Sequence, residues 1–118
     1  MPPTHDPQLL KGLLSLLLLQ LLAERESYGY EVVQRLHEIG LPDVLEGTVY
    51  PALARLEREG RVRTRLVASN SGPARKYYRP TSAGYQALTD GASSWRSLST
   101  LVGTVLGRPI PTEPVEGV

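Results

Sequence analysis

The sequence predicts a mainly α-helical fold with one small β-hairpin. Three observations lead to this prediction: a leucine-rich run near the start, two short alternating segments around a central turn, and a long final segment with apolar residues at helical spacing. The chain has 118 residues, a length typical of a single domain. We divide it into a disordered tail over residues 1–7, a helical domain with the hairpin over 8–80, a further helix over 81–106 and a disordered tail over 107–118.

Composition excludes several kinds of site. The chain has no cysteine, so disulfides, thiolate metal sites and a cysteine nucleophile are excluded. His5 and His37 are the only histidines, too few for a multi-histidine metal centre, and we expect His37 to lie at the surface. No carboxylate pair, glycine-rich phosphate loop or Ser/His/Asp set has a useful spacing. We therefore expect no enzyme, no metal and no cofactor.

The leucine-rich run is too short to cross a membrane. It extends from Leu9 to Leu22, which is 14 residues, whereas a membrane-spanning helix needs about 20 apolar residues. The first residues carry no basic stretch and no small-residue cleavage site of the kind that marks a secretory signal. Together with the absence of cysteine, this predicts a cytoplasmic protein without a membrane segment.

The same run predicts a first helix that is apolar nearly all round. Such a helix is buried on more than one side, which suggests a partner subunit in addition to its own domain. Ser27 is the expected N-cap of a second helix over residues 28–39, whose last turn is followed by Gly40. The apolar positions at helical spacing in that second helix are Tyr28, Val32, Val33, Leu36 and Ile39.

The third helix is predicted from Thr48, Pro51 and Gly60. Thr48 as N-cap would place Pro51 at the third helical position, where no intrahelical donor is needed. Gly60 would then end the helix, and its core-facing side chains would be those of Val49, Leu53 and Leu56.

Two strands and a final helix follow. Residues 61–67 alternate between basic and less polar side chains, residues 70–73 form a turn, and residues 75–79 return as the second strand. Thr81 is the expected N-cap of the final helix, Ser82 to Leu106. Three helices, a hairpin and a further helix make a winged helix-turn-helix, in which the third helix enters a DNA groove and the hairpin loop is the wing.

Positive charge is concentrated in one segment, although the whole chain carries a net charge of only +1. Residues 55–79 hold eight basic residues against two acidic ones. The basic residues are Arg55, Arg58, Arg61, Arg63, Arg65, Arg75, Lys76 and Arg79. Clustered cations neutralise DNA phosphates, so double-stranded DNA is the expected partner; the alternative is a solvated strand face.

Several spaced motifs resemble the PadR family of transcriptional regulators, over roughly residues 9–106. They are Leu9-Leu-Lys-Gly12, Tyr28-Gly-Tyr30, Gly47-Thr-Val-Tyr-Pro-Ala-Leu53, Arg55-Leu-Glu57, Arg75-Lys-Tyr-Tyr78 and Thr81-Ser-Ala-Gly84. The resemblance implies a homodimeric, ligand-responsive repressor that binds a partly palindromic operator. The short final region is similar to the small subfamily, in which one C-terminal helix serves for dimerisation.

The resemblance also implies which residues meet DNA. The recognition helix of the family opens with a Thr-x-Tyr-Pro unit, here Thr48, Tyr50 and Pro51. Arg55 lies about two turns further along the helix, and its guanidinium is suited to hydrogen-bond with a guanine or a phosphate. The alternative for Tyr50 is a packing role between helices.

Residues at the base of the wing complete the expected DNA interface. Arg75 and Lys76 are expected to bind a DNA phosphate or to contact the minor groove. Strand alternation separates Tyr77 from Tyr78, and we expect Tyr78 in the core and Tyr77 at the DNA interface. Tyr28 begins the second helix, where backbone N–H groups favour a phosphate; aromatic packing is its alternative.

The final helix carries the expected dimer seam and effector site. Spacings of three and four residues connect Leu88, Ala92, Trp95, Leu98 or Ser99, Val102 and Val105. In multidrug-responsive relatives a tryptophan in this helix stacks a flat ligand between subunits, which makes Trp95 the candidate platform; the alternative is an anchor packed on the first helix. Leu9, Gly12, Leu16 and Ser99 are the further candidates for lining a site for a small hydrophobic or aromatic effector. Because the sequence offers no carboxylate there, we expect an uncharged or phenolic ligand.

One competing function stays open. A winged helix can serve protein contacts without operator binding, and such a module would carry a recognition helix without clustered positive charge. This sequence shows the opposite, so a sequence-specific DNA-binding regulator is the preferred interpretation.

Overall fold

The structure, a computed structural model, describes residues 5–114. Within this range five helices and three strands follow one another: α1 (Pro7–Lys11), α2 (Leu14–Glu24), β1 (Ser27–Tyr28), α3 (Gly29–Glu38), α4 (Glu46–Arg58), β2 (Val62–Ser69), β3 (Gly72–Pro80) and α5 (Ser82–Leu106). The predicted mainly helical fold with a hairpin is therefore confirmed, and the sheet contains one strand more than predicted.

One hydrophobic core holds the helices and the base of the sheet together. It is formed by Leu14, Leu18, Leu19, Leu21, Leu22, Val32, Val33, Leu36, Val44, Val49, Leu53, Leu56 and Val62. Five of these side chains come from α2, which packs against α3, α4, β3 and α5. The buried run of leucines in α2 thus serves as the central element of the domain, as an almost entirely apolar helix should.

The prediction of a single continuous first helix is wrong. The chain forms two helices there, α1 and α2, which are separated by Gly12 and Leu13. The Leu13 N–H donates to the Leu10 carbonyl at 2.9 Å, an i→i−3 bond that tightens and ends the first helix. Glycine is a poor helix former, so the break falls where the helix is weakest. α1 itself begins at Pro7, after the Asp6 carboxylate accepts from the Gln8 N–H.

The predicted N-cap role of Ser27 is also wrong. Ser27 is buried and belongs to β1, which pairs antiparallel with β3, so that the strand order is β1-β3-β2. Its Oγ donates to the Arg25 carbonyl and accepts from Arg35 at 2.9 Å, so it is not free to cap α3. α3 begins one residue later than predicted, at Gly29, and Gly40 follows it with a φ of 113°. Ile39, placed by its spacing among the apolar positions, is exposed.

Thr48 is likewise not the N-cap of the third helix. α4 begins at Glu46, because the N–H groups of Thr48 and Val49 both donate to the Leu45 carbonyl at 3.0 Å. Pro51 therefore lies inside the helix, where it removes one intrahelical donor. The carbonyl that loses its partner belongs to Gly47, which is exposed, so water can satisfy it.

The hairpin is longer than predicted, and its turn narrows to residues 70–71. Val62 pairs with Pro80 and Val67 with Arg75, so the base of the hairpin lies on the core while its tip extends away from it. Tyr78 is half-buried and packs against the core, as predicted. Gly72 has a φ of 155°, the kind of backbone conformation that glycine supplies after a tight turn.

α5 begins as predicted, since the Thr81 hydroxyl accepts from the Gly84 N–H at 3.1 Å. Gly84 is required here, because a Cβ at this position would lie 2.0 Å from the Arg61 carbonyl oxygen. Residues 107–114 form neither helix nor strand. The disorder predicted for residues 1–7 and 107–118 stays a prediction, and residues 1–4 and 115–118 lie outside the described part of the chain.

Candidate nucleic-acid interface

α4 turns one continuous side toward solvent. Its apolar side, formed by Val49, Leu53 and Leu56, is fully buried, which fixes the rotation of the helix about its axis. The exposed side carries Tyr50, Pro51, Arg55, Arg58 and Thr48. By helical spacing Pro51 and Arg58 lie near the middle of this side, Tyr50 lies at the edge toward the hairpin, and Thr48 at the opposite edge.

A groove of about 210 Å³ lies between α4, the start of α3 and the hairpin. We call it the tyrosine groove; its lining residues are Tyr28, Gly29, Tyr30, Tyr50, Arg75, Lys76 and Tyr78. The structure thus brings together four residues that the sequence named separately, namely Tyr28, Tyr50, Arg75 and Lys76. Hydroxyl, ammonium and guanidinium donors converge there, a set suited to a phosphate backbone.

Gly29 determines where the Tyr50 ring lies. A Cβ at residue 29 would come within 2.2 Å of the Tyr50 Cε1 atom, so only glycine lets the ring pack on the start of α3. Burial raises the pKa of the Tyr50 hydroxyl, and the Glu46 carboxylate and Tyr78 raise it further. The hydroxyl is therefore protonated and able to donate a hydrogen bond to an anion at neutral pH.

Lys76 is held by the recognition helix. Its Nζ donates to the Glu57 Oε1 at 2.9 Å, and the Thr64 hydroxyl donates to the other carboxylate oxygen at 3.2 Å. The hydrogen bond from Lys76 lowers the pKa of Glu57, and the Lys76 pKa is raised in return. This carboxylate links α4 to both strands of the hairpin, and it competes with any phosphate for Lys76.

Arg75 and Tyr77 lie on the other side of the hairpin from Lys76. The Arg75 guanidinium stands 4.6 Å from the centre of the Tyr28 ring, and the rings of Tyr28 and Tyr77 meet edge to face at 5.3 Å. Tyr77 therefore faces away from α4, whereas Arg75 borders the tyrosine groove. Arg55 is exposed and pairs with Glu59 at 3.3 Å along the helix.

Thr48 is not part of the tyrosine groove. It borders a separate apolar cavity of about 330 Å³ between α1, α2 and the loop before α4, together with Leu10, Leu14, Leu17 and Val44 among others. His37 holds that loop through a 2.8 Å contact between its Nε2 and the Val44 carbonyl. His37 is thus half-buried with a structural contact, rather than simply at the surface as predicted.

A second groove, of about 300 Å³, joins α5 to the start of α2, and we call it the Trp95 groove. Gly12 and Leu16 line it with Trp95, as the sequence suggested, whereas Leu9 and Ser99 do not. Leu9 is exposed, and the Ser99 hydroxyl donates to the Arg96 carbonyl. Trp95 is 44% exposed, so packing on α2 leaves part of this residue open to solvent.

Sequence reasoning missed Arg61, which also lines the Trp95 groove. A basic residue therefore belongs to the lining of this groove. Arg58 and Glu57 were missed as site residues as well. A helical wheel anchored on the buried residues of α4 would have indicated Arg58, but the Glu57–Lys76 pair joins residues 19 positions apart and leaves no local signal.

Residues 5–114 contain no group of three or more His, Asp and Glu side chains placed to hold a metal ion. Among the helices described, none combines the length and apolar character needed to cross a bilayer.

The arrangement defines a class of protein: a winged helix-turn-helix with an exposed recognition helix, a basic hairpin and one further C-terminal helix. The chain belongs to the PadR-like family of transcriptional regulators, whose family model matches residues 18–90. Members of this family are transcriptional regulators rather than enzymes.

Individual relatives agree with this assignment. The chain is 39% identical over 89 residues to the transcriptional regulator Rv3488 of Mycobacterium tuberculosis. The aligned region covers 72% of this chain and 75% of the relative. It is similar in structure to a PadR-like transcriptional regulator of Bacillus cereus, with 38% identity, a TM-score of 0.77 and coverage of 86% and 99% of the two chains. A PadR family regulator of Eggerthella lenta has 34% identity, a TM-score of 0.79 and coverage of 86% and 88%.

Proposed function

We propose that this chain is a sequence-specific DNA-binding repressor that acts in the cytoplasm as a homodimer on a palindromic operator. The observation that carries the proposal is the tyrosine groove beside the exposed side of α4. Tyr50, Tyr28 and Arg75 offer donors to phosphates there, while Pro51 and Arg55 lie where a base edge or the backbone would meet the helix. Thr48 would contact DNA from the opposite edge of α4.

The homodimer is proposed because α5 exposes an apolar surface that nothing within residues 5–114 covers. Every residue of α5 beyond Ser99 is exposed, including Leu101, Val102, Val105 and Leu106. The second half of the helix, residues 94–106, contains six glycine, serine and threonine residues, which are poor helix formers. A second copy of α5 would bury these side chains and stabilise the helix.

The Trp95 groove is the proposed effector site. Trp95 and Leu16 offer an apolar surface on which a flat aromatic molecule can stack. Arg61 adds a positive charge at this groove, which favours a phenolate or a carboxylate over a cation. Gly12 lines the same groove, whereas Leu9 and Ser99 would contribute only through the assembled dimer.

Titration of the protein with its own upstream DNA against salt tests the proposal. We expect binding that is tighter than to a scrambled duplex and that weakens steeply as salt rises, since phosphate contacts release counterions. R75A/K76A should weaken binding to both duplexes and reduce the slope of log K against log salt by about 0.9 to 1.8, the range for one or two phosphate contacts. R96A/R108A removes the same charge outside the hairpin and should change the slope little.

The alternative function is decided by the same titration. A module that serves only protein contacts would bind neither duplex, even at low salt. Equal binding to the upstream and scrambled duplexes would mean that the operator lies elsewhere.

A further inference from the structure

The side of the sheet that faces away from the core is a continuous basic and aromatic surface. Strand pairing places Arg63 opposite Arg79, Arg65 opposite Tyr77, and Tyr77 opposite Tyr28. These positions alternate with the core-facing Val62, Thr64 and Tyr78, so they share the solvent side. We call this surface the outer sheet face; it comprises Tyr28, Arg63, Arg65, Arg75, Tyr77 and Arg79.

Positive charge on this face exceeds what the protein itself neutralises. Glu26 pairs with Arg65 through two guanidinium nitrogens, and hydrogen bonds from Arg65 lower the pKa of its carboxyl, with Arg79 and Arg63 adding to the effect. Within residues 5–114, neither Arg63 nor Arg79 forms an ion pair. Two arginines directly opposite each other on paired strands repel, so this pair indicates an anionic partner.

The arginines of the face are presented in a form that suits phosphate. Arg65 lies 5.7 Å from the centre of the Tyr77 ring and Arg75 lies 4.6 Å from that of Tyr28. The Arg65 Nε and Nη2 already donate to Glu26, whereas Arg75 forms no ion pair within residues 5–114 and its planar guanidinium matches two phosphate oxygens. Arg63 and Arg79 also border one open cleft of about 470 Å³ at the base of the sheet.

The outer sheet face is continuous with the tyrosine groove, because Tyr28 and Arg75 belong to both. A backbone that leaves this groove therefore meets Arg65 and then the Arg63–Arg79 pair. We propose that the outer sheet face binds the phosphate backbone of duplex DNA beyond the segment that α4 contacts. The proposal rests on the DNA-binding function above and extends the footprint to residues that the function does not use. An acidic polypeptide would satisfy the charge but does not account for this continuity.

R63Q/R79Q tests the proposal, with R96Q/R108Q as a control that removes the same charge away from the sheet. The probe is a fluorescein-labelled duplex of about 30 base pairs of scrambled sequence, titrated by anisotropy between 50 and 200 mM salt. We expect R63Q/R79Q to lower the slope of log K against log salt by about 1.8, the value for two phosphate contacts, and the control to leave it unchanged. Thermal melting should give R63Q/R79Q a Tm close to that of the unsubstituted protein, because the substitution removes both the repulsion between the two arginines and their attraction to Glu26.

Three results would overturn the proposal. An unchanged slope for R63Q/R79Q, with the unsubstituted protein still binding DNA, would remove the outer sheet face from the footprint and leave the proposed function intact. An unchanged slope with loss of binding to poly-L-glutamate would assign the face to an acidic polypeptide. A protein that binds no duplex at any salt concentration would refute the DNA-binding function and this proposal together.

Discussion

Gly29 shows how one backbone position controls a side chain of the candidate interface. Because a Cβ there would collide with the Tyr50 ring, G29A should displace the ring and destabilise the fold by about 1–3 kcal/mol, the usual cost of overpacking. Urea unfolding measures this free energy. G47A is the matched control, since its Cβ would meet nothing within 4 Å and should stabilise the protein by about 0.4–1 kcal/mol. Equal effects of the two substitutions would show that the ring moves freely.

Glu26 makes stability depend on pH. Its pKa in the folded protein lies below the unfolded value of about 4.3, because Arg65 donates hydrogen bonds to the ionised form. A lowered carboxyl pKa stabilises the fold above the unfolded pKa, and this stabilisation disappears as pH falls through the folded pKa. E26Q should therefore lose less stability than the unsubstituted protein between about pH 5 and pH 3.

Urea midpoints at pH 7 and pH 3.5 measure this difference. E113Q removes the same charge outside the helices and strands, and its pH dependence should match that of the unsubstituted protein. A decline in E26Q as steep as in the unsubstituted protein would show that the Glu26–Arg65 pair contributes nothing.

At the scale of secondary structure, the link between α4 and the hairpin depends on Glu57. Its carboxylate holds Lys76, so in the proposed DNA interface Lys76 exchanges this carboxylate for a phosphate. E57Q should free Lys76 and remove a negative charge from the interface, which tightens binding several-fold and steepens the salt slope by up to about 0.9. Anisotropy titration of a scrambled duplex measures both quantities.

E113Q is the control for loss of charge alone. Glu113 lies outside the helices and strands and forms no ion pair within residues 5–114, so this substitution leaves the link between α4 and the hairpin intact. Weaker binding by E57Q would mean that Glu57 acts chiefly by holding the wing against α4.

Most helices and both hairpin strands could be predicted because their apolar residues recur with the right period. The strand β1 could not, since two residues carry no alternation and Ser27 has the chemistry of an N-cap. The break at Gly12 could not be predicted, because leucines on both sides of it continue the apolar pattern of a single helix. Thr48 failed as a cap because the loop before α4 supplies the first carbonyl from Leu45, a bond that no local pattern indicates.

For the candidate site, the sequence could indicate the individual residues but not their arrangement. Tyr28, Tyr50, Arg75 and Lys76 could be named because family motifs contain them. Their meeting in one groove depends on the pairing of β1 with β3, which the sequence did not predict.

At the scale of the whole molecule, α5 is expected to fold fully only against a second copy. V102E/V105E places charges in its exposed apolar surface and should yield a monomer by sedimentation velocity, with lower helix content by circular dichroism. S93E/T100E carries the same charges on the opposite side of the helix, and should stay dimeric. A dimer that survives V102E/V105E would place the subunit contact elsewhere.

In the proposed homodimer, we expect release of the operator to follow from a change in the distance between the two α4 helices. Because palindromic half-sites lie about one DNA turn apart, a small shift at the dimer seam can break the match. The chain has no cysteine, so R58C gives one spin label on each recognition helix and S93C gives one on each α5. If an aromatic carboxylate binds beside Trp95 and quenches its fluorescence, we expect a small change in the S93C distance and a larger change in the R58C distance. A constant R58C distance with falling DNA affinity would refute release by helix separation and favour a local effect on the wing.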